Sequence, residues 1–394
     1  MSMESVVIVG AARTPMGGLL GDLSFVQSPA LGAVAIAGAL SKAGVQADQV
    51  EQLLMGCVLP AGVGQAPARQ AALSAGLSVG AGCTTINKVC GSGMQAIMLA
   101  HDLIRVGSYG VVVAGGMESM SNAPYLLPKV RAGLRLGHGQ VLDHMFLDGL
   151  QDAETGRLMG MFAQDMADAR GLSREAMDDF ARLSLDRARA AMASGVLEHE
   201  IVEVRVQSKR GDKVVSEDEQ PRSADASRIA TLKPAFRADG TVTAANSSSI
   251  SDGASALVLM SEAQAQGRGL TPLARIVAHA NHARHPSEFT IAPEGAVRRV
   301  LHKAGWTVSD VDLFEINEAF AMVAMLAIDD LGLDIDKVNV FGGACAQGHP
   351  IGSTGSRVIV TLLNALRHRG SKRGVAALCI GGGEATAVAI EAMT

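Results

Sequence analysis

Two stretches of the chain follow the same grammar, and together they constrain the fold more than any other feature. In each, a helix stopped by glycine leads to an apolar strand that runs into glycines and a glutamate. Residues 94–106 read as a mostly apolar helix ended by Gly107, and residues 111–114 as a strand entering Gly115-Gly116-Met117-Glu118. Residues 353–369 read as a helix ended by Gly370, and residues 375–380 as a strand entering Gly381-Gly382-Gly383-Glu384. Each unit follows a glycine-rich turn, Cys90-Gly91-Ser92-Gly93 in one and Gly348-His349-Pro350 in the other, with an expected strand before it at 84–89 and at 338–341. Continuous apolar runs that alternate with helices belong to sheets covered on both faces, so the chain is α/β with two related halves, although identity between the halves is slight.

The flanks fit this plan. Residues 6–9 make a first strand, residues 29–43 an Ala-rich helix stopped by Gly44, and residues 311–316 a strand after which Asn317 opens a helix. Residues 121–244 differ, holding most of the charge clusters and few apolar runs. There Ser173 is an N-cap with Glu175 in the first turn. Met177, Phe180, Ala181, Ser184 and Ala188 share a helical face, and Gly195 ends the helix. This stretch reads as a loop domain inserted into the first half.

With 394 residues there is room for two or three domains, and aromatics at 3% against 45 glycines mean aliphatic cores and close backbone packing. Lys plus Arg at 34 against Asp plus Glu at 39 gives no reason to expect nucleic-acid or membrane-surface binding. No apolar run reaches the roughly 18 residues of a membrane span. The start has neither the basic region of a signal peptide nor an Arg-rich transit pattern, and the end is no address. Five cysteines form no CxxC pair, which argues against zinc and a disulfide framework. The expectation is a reduced, cytoplasmic enzyme without metal.

The candidate chemistry sits where strands hand over to helices. Cys90 lies at a helix N-terminus, whose free N–H groups and partial positive charge would favour thiolate. His349 is flanked by glycines on both sides, and Cys379 precedes three glycines whose N–H groups could face an oxyanion. Asn317 adds an amide, with capping as its default role. A thiol, an imidazole, a second thiol and an amide form a coherent set for acyl transfer through a thioester and for moving a proton on carbon.

Over essentially its whole length the chain resembles the thiolase family, and within it the acetyl-CoA C-acetyltransferases. The resemblance is carried by Gly10-Ala11-Ala12-Arg13-Thr14-Pro15, Asn87-Lys88-Val89-Cys90-Gly91-Ser92-Gly93 and Gly115-Gly116-Met117-Glu118-Ser119-Met120-Ser121, the last matching the turn after a strand. Asn317-Glu318-Ala319-Phe320, Gly348-His349-Pro350-Ile351-Gly352 and Cys379-Ile380-Gly381-Gly382-Gly383 complete it. It implies a thiolase fold of two similar βαβαβ-type halves in α-β-α-β-α layers, with residues 1–120 plus 245–270 as one half, 121–244 as the loop domain and 271–394 as the other half. It implies Cys90 as acyl carrier activated by His349, and Cys379 as the acid–base on carbon. Asn317, through a water, and His349 would hold the enolising thioester oxygen, while the N–H groups of Cys90 and Gly381 would hold the acyl oxyanion. Ser248, Arg222, Met159, Ala319, Phe320 and Phe289 are the implied acyl-CoA contacts, with coenzyme A as substrate and no cofactor. Between 205 and 237 eight basic residues face five acidic ones, which suits an anionic CoA phosphate. Lys129, Arg131 and Arg135 fall where tetrameric members carry a tetramerisation loop, so a dimer of dimers is expected in preference to a dimer.

The chain departs from the family pattern at Leu158, Phe289, Phe341, Cys345 and Gln347, which leaves acyl-chain preference open, and a longer-chain 3-ketoacyl-CoA thiolase is the alternative. Ketoacyl synthases pair Cys with two His, whereas the third member here is Cys379. A dehydrogenase reading fails because the turn at Gly10 lacks the later glycines of a dinucleotide loop, and a hydrolase reading of Gly76-Leu77-Ser78-Val79-Gly80 fails because a helical stretch precedes it.

Overall fold

A computed structural model describes residues 4–207 and 211–393. The first half runs β1 (Val6–Arg13), β2 (Gly17–Gly18), α1 (Ser28–Ala43), β3 (Gln52–Gly56), α2 (Pro67–Ser74), β4 (Gly82–Ile86), α3 (Ser92–Arg105) and β5 (Val111–Ser119). The intervening segment carries β6 (Tyr125–Leu126), β7 (Leu142–Asp143), α4 (Met159–Ala169), α5 (Arg174–Ala193), β8 (Val204–Val206), β9 (Lys213–Val215) and α6 (Glu219–Ser223). Then follow β10 (Ser251–Ser261), α7 (Glu262–Gly267), β11 (Ala274–Ala283), α8 (Ala292–Ala304), β12 (Leu313–Ile316), α9 (Ala321–Leu331), α10 (Ala344–Gln347), α11 (Ile351–Arg369), β13 (Arg373–Ile380) and β14 (Glu384–Ala392).

The large sheet has the order β12-β13-β14-β11-β1-β10-β5-β3-β4, and its two wings meet where β1 pairs β11 over only two residue pairs. In the intervening segment the described strands pair only with each other, as β6-β7 and β8-β9. Period-2 alternation sorts side chains into layers. On β5, Val111 and Val113 pack with Leu31 and Ile36 of α1, while Val112 and Ala114 face Ile97 of α3 and Leu362 of α11. On β13, Ala376 and Leu378 join that same middle layer, while Val375, Ala377 and Cys379 face Val297 of α8 and Val323 of α9. The result is α-β-α-β-α, with α3 and α11 as the central pair. Among the described residues no helix is long and apolar enough to cross a membrane.

Several expected boundaries shift. The stretch Gly115–Glu118 is strand within β5, paired with β10 from Met260↔Val111 to Asp252↔Ser119, and is not a turn. The first strand extends past residue 9 to Arg13, whose buried guanidinium pairs with Glu200 at 2.6 Å and Asp218 at 2.7 Å and ties β1 to the intervening segment. Residues 338–341 form no strand: only a single bridge, Phe314↔Val338, is present. Asn339 explains this, since it sits at φ 48° and its side chain satisfies both the Ile316 N–H and the Ile316 carbonyl at 2.8 Å. Asn317 caps nothing, because α9 starts at Ala321 with Phe320 as its N-cap. Lys209 and Arg210, two of the eight basic residues, lie outside the described residues. The α5 reading matches in detail: Ser173 accepts from the Ala176 N–H, and the five named face residues are buried.

Candidate active site

The central helices place the chemistry. Cys90 immediately precedes the Gly91 cap of α3, and His349 lies two residues before α11. The two N-termini converge because Gly93 and Gly352 lack side chains: a Cβ on Gly93 would fall 2.7 Å from Ser356 Oγ, and one on Gly352 2.8 Å from the Met117 carbonyl. Just before Cys90, Val89 is forced to φ 48°, a strained conformation for a β-branched residue. It is pinned there by its N–H on Asn87 Oδ1 at 2.9 Å and by its carbonyl, which accepts from Ser92 Oγ at 2.7 Å.

A third element locks the pair. Glu118, at the end of β5, is fully buried and accepts from the N–H groups of Val58 (2.9 Å), Leu59 (3.2 Å) and Gly352 (3.0 Å). Burial nevertheless pushes its carboxyl up to about 7.

These elements enclose a cavity of about 380 Å³. Cys90, His349, Cys379 and Gly381 line it together, joined by Met159, Ser248, Ala319, Phe320 and Phe289. Ser248 and Ala319 are held side by side by an N–H to carbonyl bond of 2.9 Å. Arg222 lines neither this cavity nor its neighbour; Asp22 holds it at 2.6 Å. Asn317 stands behind the wall, 1% exposed, with its Nδ2 buried and unpartnered among the described residues. Phe146, Leu150, Phe236 and Ile250 also line the cavity. No motif marks them in the sequence: Phe146 and Leu150 begin and end one short π-helical turn, and Phe236 and Ile250 lie in loops. Of the departures, Leu158 lines the cavity and Phe289 meets Phe320 edge-on at 6.2 Å, while Phe341 packs against His368 and is absent from the lining. A second cavity of about 330 Å³ shares Ala244 and Ser249 with the first and is lined by Arg228, Cys345 and Ser223.

The electrostatics differ from the helix-terminus expectation at Cys90. Enclosure by protein pushes this thiol up to about 11, and the N–H groups of Gly381 and of Cys90 itself pull it only part of the way back. Desolvation outweighs the partial charge of one helix end. Cys379, 1% exposed, is likewise pushed up by burial and by the charge Cys90 would carry. For His349, burial and then the nearby Arg357 guanidinium lower the imidazole to about 3, so it is neutral.

Its tautomer follows from its neighbour. The Thr354 hydroxyl lies 3.0 Å from the Pro350 carbonyl and 2.6 Å from His349 Nδ1; with its one hydrogen on the carbonyl, it accepts from Nδ1. In that tautomer Nε2 presents a bare lone pair, and Nε2 is buried and without a partner among the described residues. The site thus combines an un-ionised thiol, a free base, a second thiol and amide donors on one mainly apolar chamber. His101, Asp102 and His279 are the one cluster of metal-ligand type among the described residues; they do not line the cavity and hydrogen-bond to one another.

Residues 6–263 match the family model "Thiolase, N-terminal domain", and residues 270–392 match "Thiolase, C-terminal domain". The acetyl-CoA acetyltransferase of Cupriavidus necator is 48% identical over 391 residues, covering 99% of this chain and 100% of that one. The acetyl-CoA acetyltransferase of Pseudomonas aeruginosa is 47% identical over 390 residues, covering 98% and 99%. The crystal structure of the Bacillus anthracis acetyl-CoA acetyltransferase superimposes with a TM-score of 0.97 at 41% identity, covering 99% of each chain.

Proposed function

Because the chain belongs to the thiolase family, we propose that it interconverts two acetyl-CoA with acetoacetyl-CoA and CoA, by a ping-pong route through a thioester on Cys90. The observation that carries this reading is the convergence of Cys90, His349 and Cys379 on one chamber, which Gly381 also lines.

In the first half-reaction His349 Nε2 takes the Cys90 proton as the sulfur attacks the acetyl carbonyl. The oxyanion falls to the N–H groups of Cys90 and Gly381, each such donor being worth about 3 kcal/mol. CoA then leaves as a thiol, with the proton that His349 took. In the second, Cys379 passes its thiol proton to His349 Nε2 and, as thiolate, removes the α-proton of a new acetyl-CoA, whose thioester oxygen is held by the His349 Nε2–H and, through a water, by Asn317. The carbanion attacks the acyl group, and Cys90 departs and takes the proton held by His349, which leaves both cysteines as thiols. In the thiolysis direction Cys379, kept a thiol by burial, returns the proton to carbon.

Coenzyme A is the substrate carrier. Its pantetheine arm runs past Ser248, Met159, Ala319 and Phe320, with Phe289 closing the acyl end, and the adjoining cavity takes the outer part. We assign the phosphate contact to Arg228 in place of Arg222. The boundaries 1–120 plus 245–270, 121–244 and 271–394 are our division of the chain, supported by the absence of 121–244 from the large sheet among the described residues. A cytoplasmic setting rests on five unpaired cysteines. The β6-β7 hairpin carries Lys129, Arg131 and Arg135 together with exposed Tyr125, Leu134 and Leu136, which suits contact with a second copy in a tetramer.

The test is thiolysis by the purified protein, comparing kcat/KM for acetoacetyl-CoA and a medium-chain 3-ketoacyl-CoA. A strong preference for the former is expected. Equal or better turnover of the latter moves the enzyme to the broad-range β-oxidation class, and no turnover of either removes the reading.

A further inference from the structure

Asn317 is buried behind the chamber, and an amide there is useful to an oxyanion only if its NH2 end faces the reacting atoms. Nothing in the amide itself decides that, since its two ends have almost the same shape. The decision comes from α11. Arg357, two turns beyond His349 and 1% exposed, directs Nη2 at Asn317 Oδ1 (3.3 Å) and Nη1 at Glu315 Oε1 (3.0 Å). A guanidinium offers only donors, so Asn317 must give it the oxygen. The NH2 is then turned the other way, where Nδ2 has no protein partner among the described residues. Glu315, on β12 and 2% exposed, anchors the guanidinium from the far side. A flipped amide would put two N–H donors against a buried cation, which the pair forbids.

From this geometry we propose that Arg357, held by Glu315, is a positioning residue for carbon–carbon bond making and breaking, which fixes Asn317 with its donor end towards the thioester enolate. The first half-reaction does not need it, because the acyl oxyanion is served by the Cys90 and Gly381 N–H groups. The same arginine also faces His349 through space, so one buried cation bears on both members of the enolate-binding pair. A purely structural ion pair would instead serve both half-reactions equally. The inference rests on the proposed function and adds to it the group that orients the amide.

The experiment is a double-mutant cycle on thiolysis of acetoacetyl-CoA using Arg357→Lys, Asn317→Ala and the double variant, with acetylation of Cys90 by acetyl-CoA measured in each. Lysine keeps the charge and the Glu315 pairing but loses the fork that spans both partners. Arg357→Lys is expected to lower kcat by about tenfold or more, while acetylation stays within about threefold. In the Asn317→Ala background the same change should cost less than about threefold in kcat. An equal loss in both backgrounds, or acetylation falling in parallel with thiolysis, overturns the inference. If Asn317→Ala alone leaves thiolysis unchanged, the proposed function of this site fails instead. Should Arg357→Lys not fold, Glu315→Gln, which keeps the guanidinium but loosens its anchor, takes its place in the cycle with the same two readings.

Discussion

Cys90 and Cys379 carry the same functional group in different settings, and their separate roles can be measured. Cys379→Ser should still take up label from acetyl-CoA on Cys90 at near-normal extent, yet lose thiolysis of acetoacetyl-CoA by at least about a hundredfold. If it retains full thiolysis, the acid–base assignment is wrong. The Cys90 thiol, raised to about 11, gives a second outcome. With that pKa the thiolate fraction grows tenfold per pH unit across the neutral range, so alkylation of Cys90 by iodoacetamide should rise steadily from pH 6 to pH 9. A plateau near pH 7 would mean a preformed thiolate–imidazolium pair, in conflict with a neutral His349. The identity of these residues was legible in the sequence. Their ionisation was not, because burial, which no local pattern encodes, outweighs the helix terminus that the pattern does reveal.

At the scale of elements, an elbow is as informative as the strand expected in its place. Residues 338–341 have the composition of a strand, but Asn339 turns the backbone and substitutes its amide for the ladder bonds of β12, adding a bond to Glu318 Oε1 at 2.8 Å. Asn339→Ala should therefore destabilise the protein by about 3 kcal/mol or more, read as a lower denaturant midpoint, since it strands buried partners and puts alanine, which tolerates positive φ less well than asparagine, at this position. A loss under about 1 kcal/mol would show that the amide is dispensable. The β6-β7 hairpin makes the opposite case, an apolar excursion with Leu136 98% exposed. If the proposed tetramer forms through this hairpin, replacing Leu134 and Leu136 by lysine should give a dimer by light scattering where the parent chain gives a tetramer, with folding intact. An unchanged mass would remove the hairpin from the proposed assembly.

For the molecule as a whole, buried carboxyls couple stability to pH. The Glu118 carboxyl lies at about 7 when folded against an ordinary 4.5. Between those values the folded state holds a proton that the unfolded state releases, so this group's contribution falls as pH rises from 4.5 to 7 and stays lowered above. Glu118→Gln removes the titration. The stability of the parent protein relative to that variant should accordingly drop by up to about 3 kcal/mol between pH 4.5 and pH 8. A difference that is flat with pH would mean that the three N–H groups around Glu118 keep it ionised throughout.

The amino-acid sequence by itself determined the α/β class, the doubled strand–turn–helix unit, the glycine-flanked elbows and the four reactive side chains. Each of these is written in short-range pattern: apolar runs, glycine stops and polar residues at strand ends. Tertiary structure alone decided that Glu118 bridges β5 to α11, that Phe146 and Phe236 wall the chamber, that Arg222 is taken by Asp22, and that Thr354 meets His349 Nδ1 and Arg357 meets Asn317 Oδ1. Most of those relations join residues far apart in the chain. The closer ones, such as His349 with Thr354, depend on burial that strips water from both partners and leaves each polar atom one place to go.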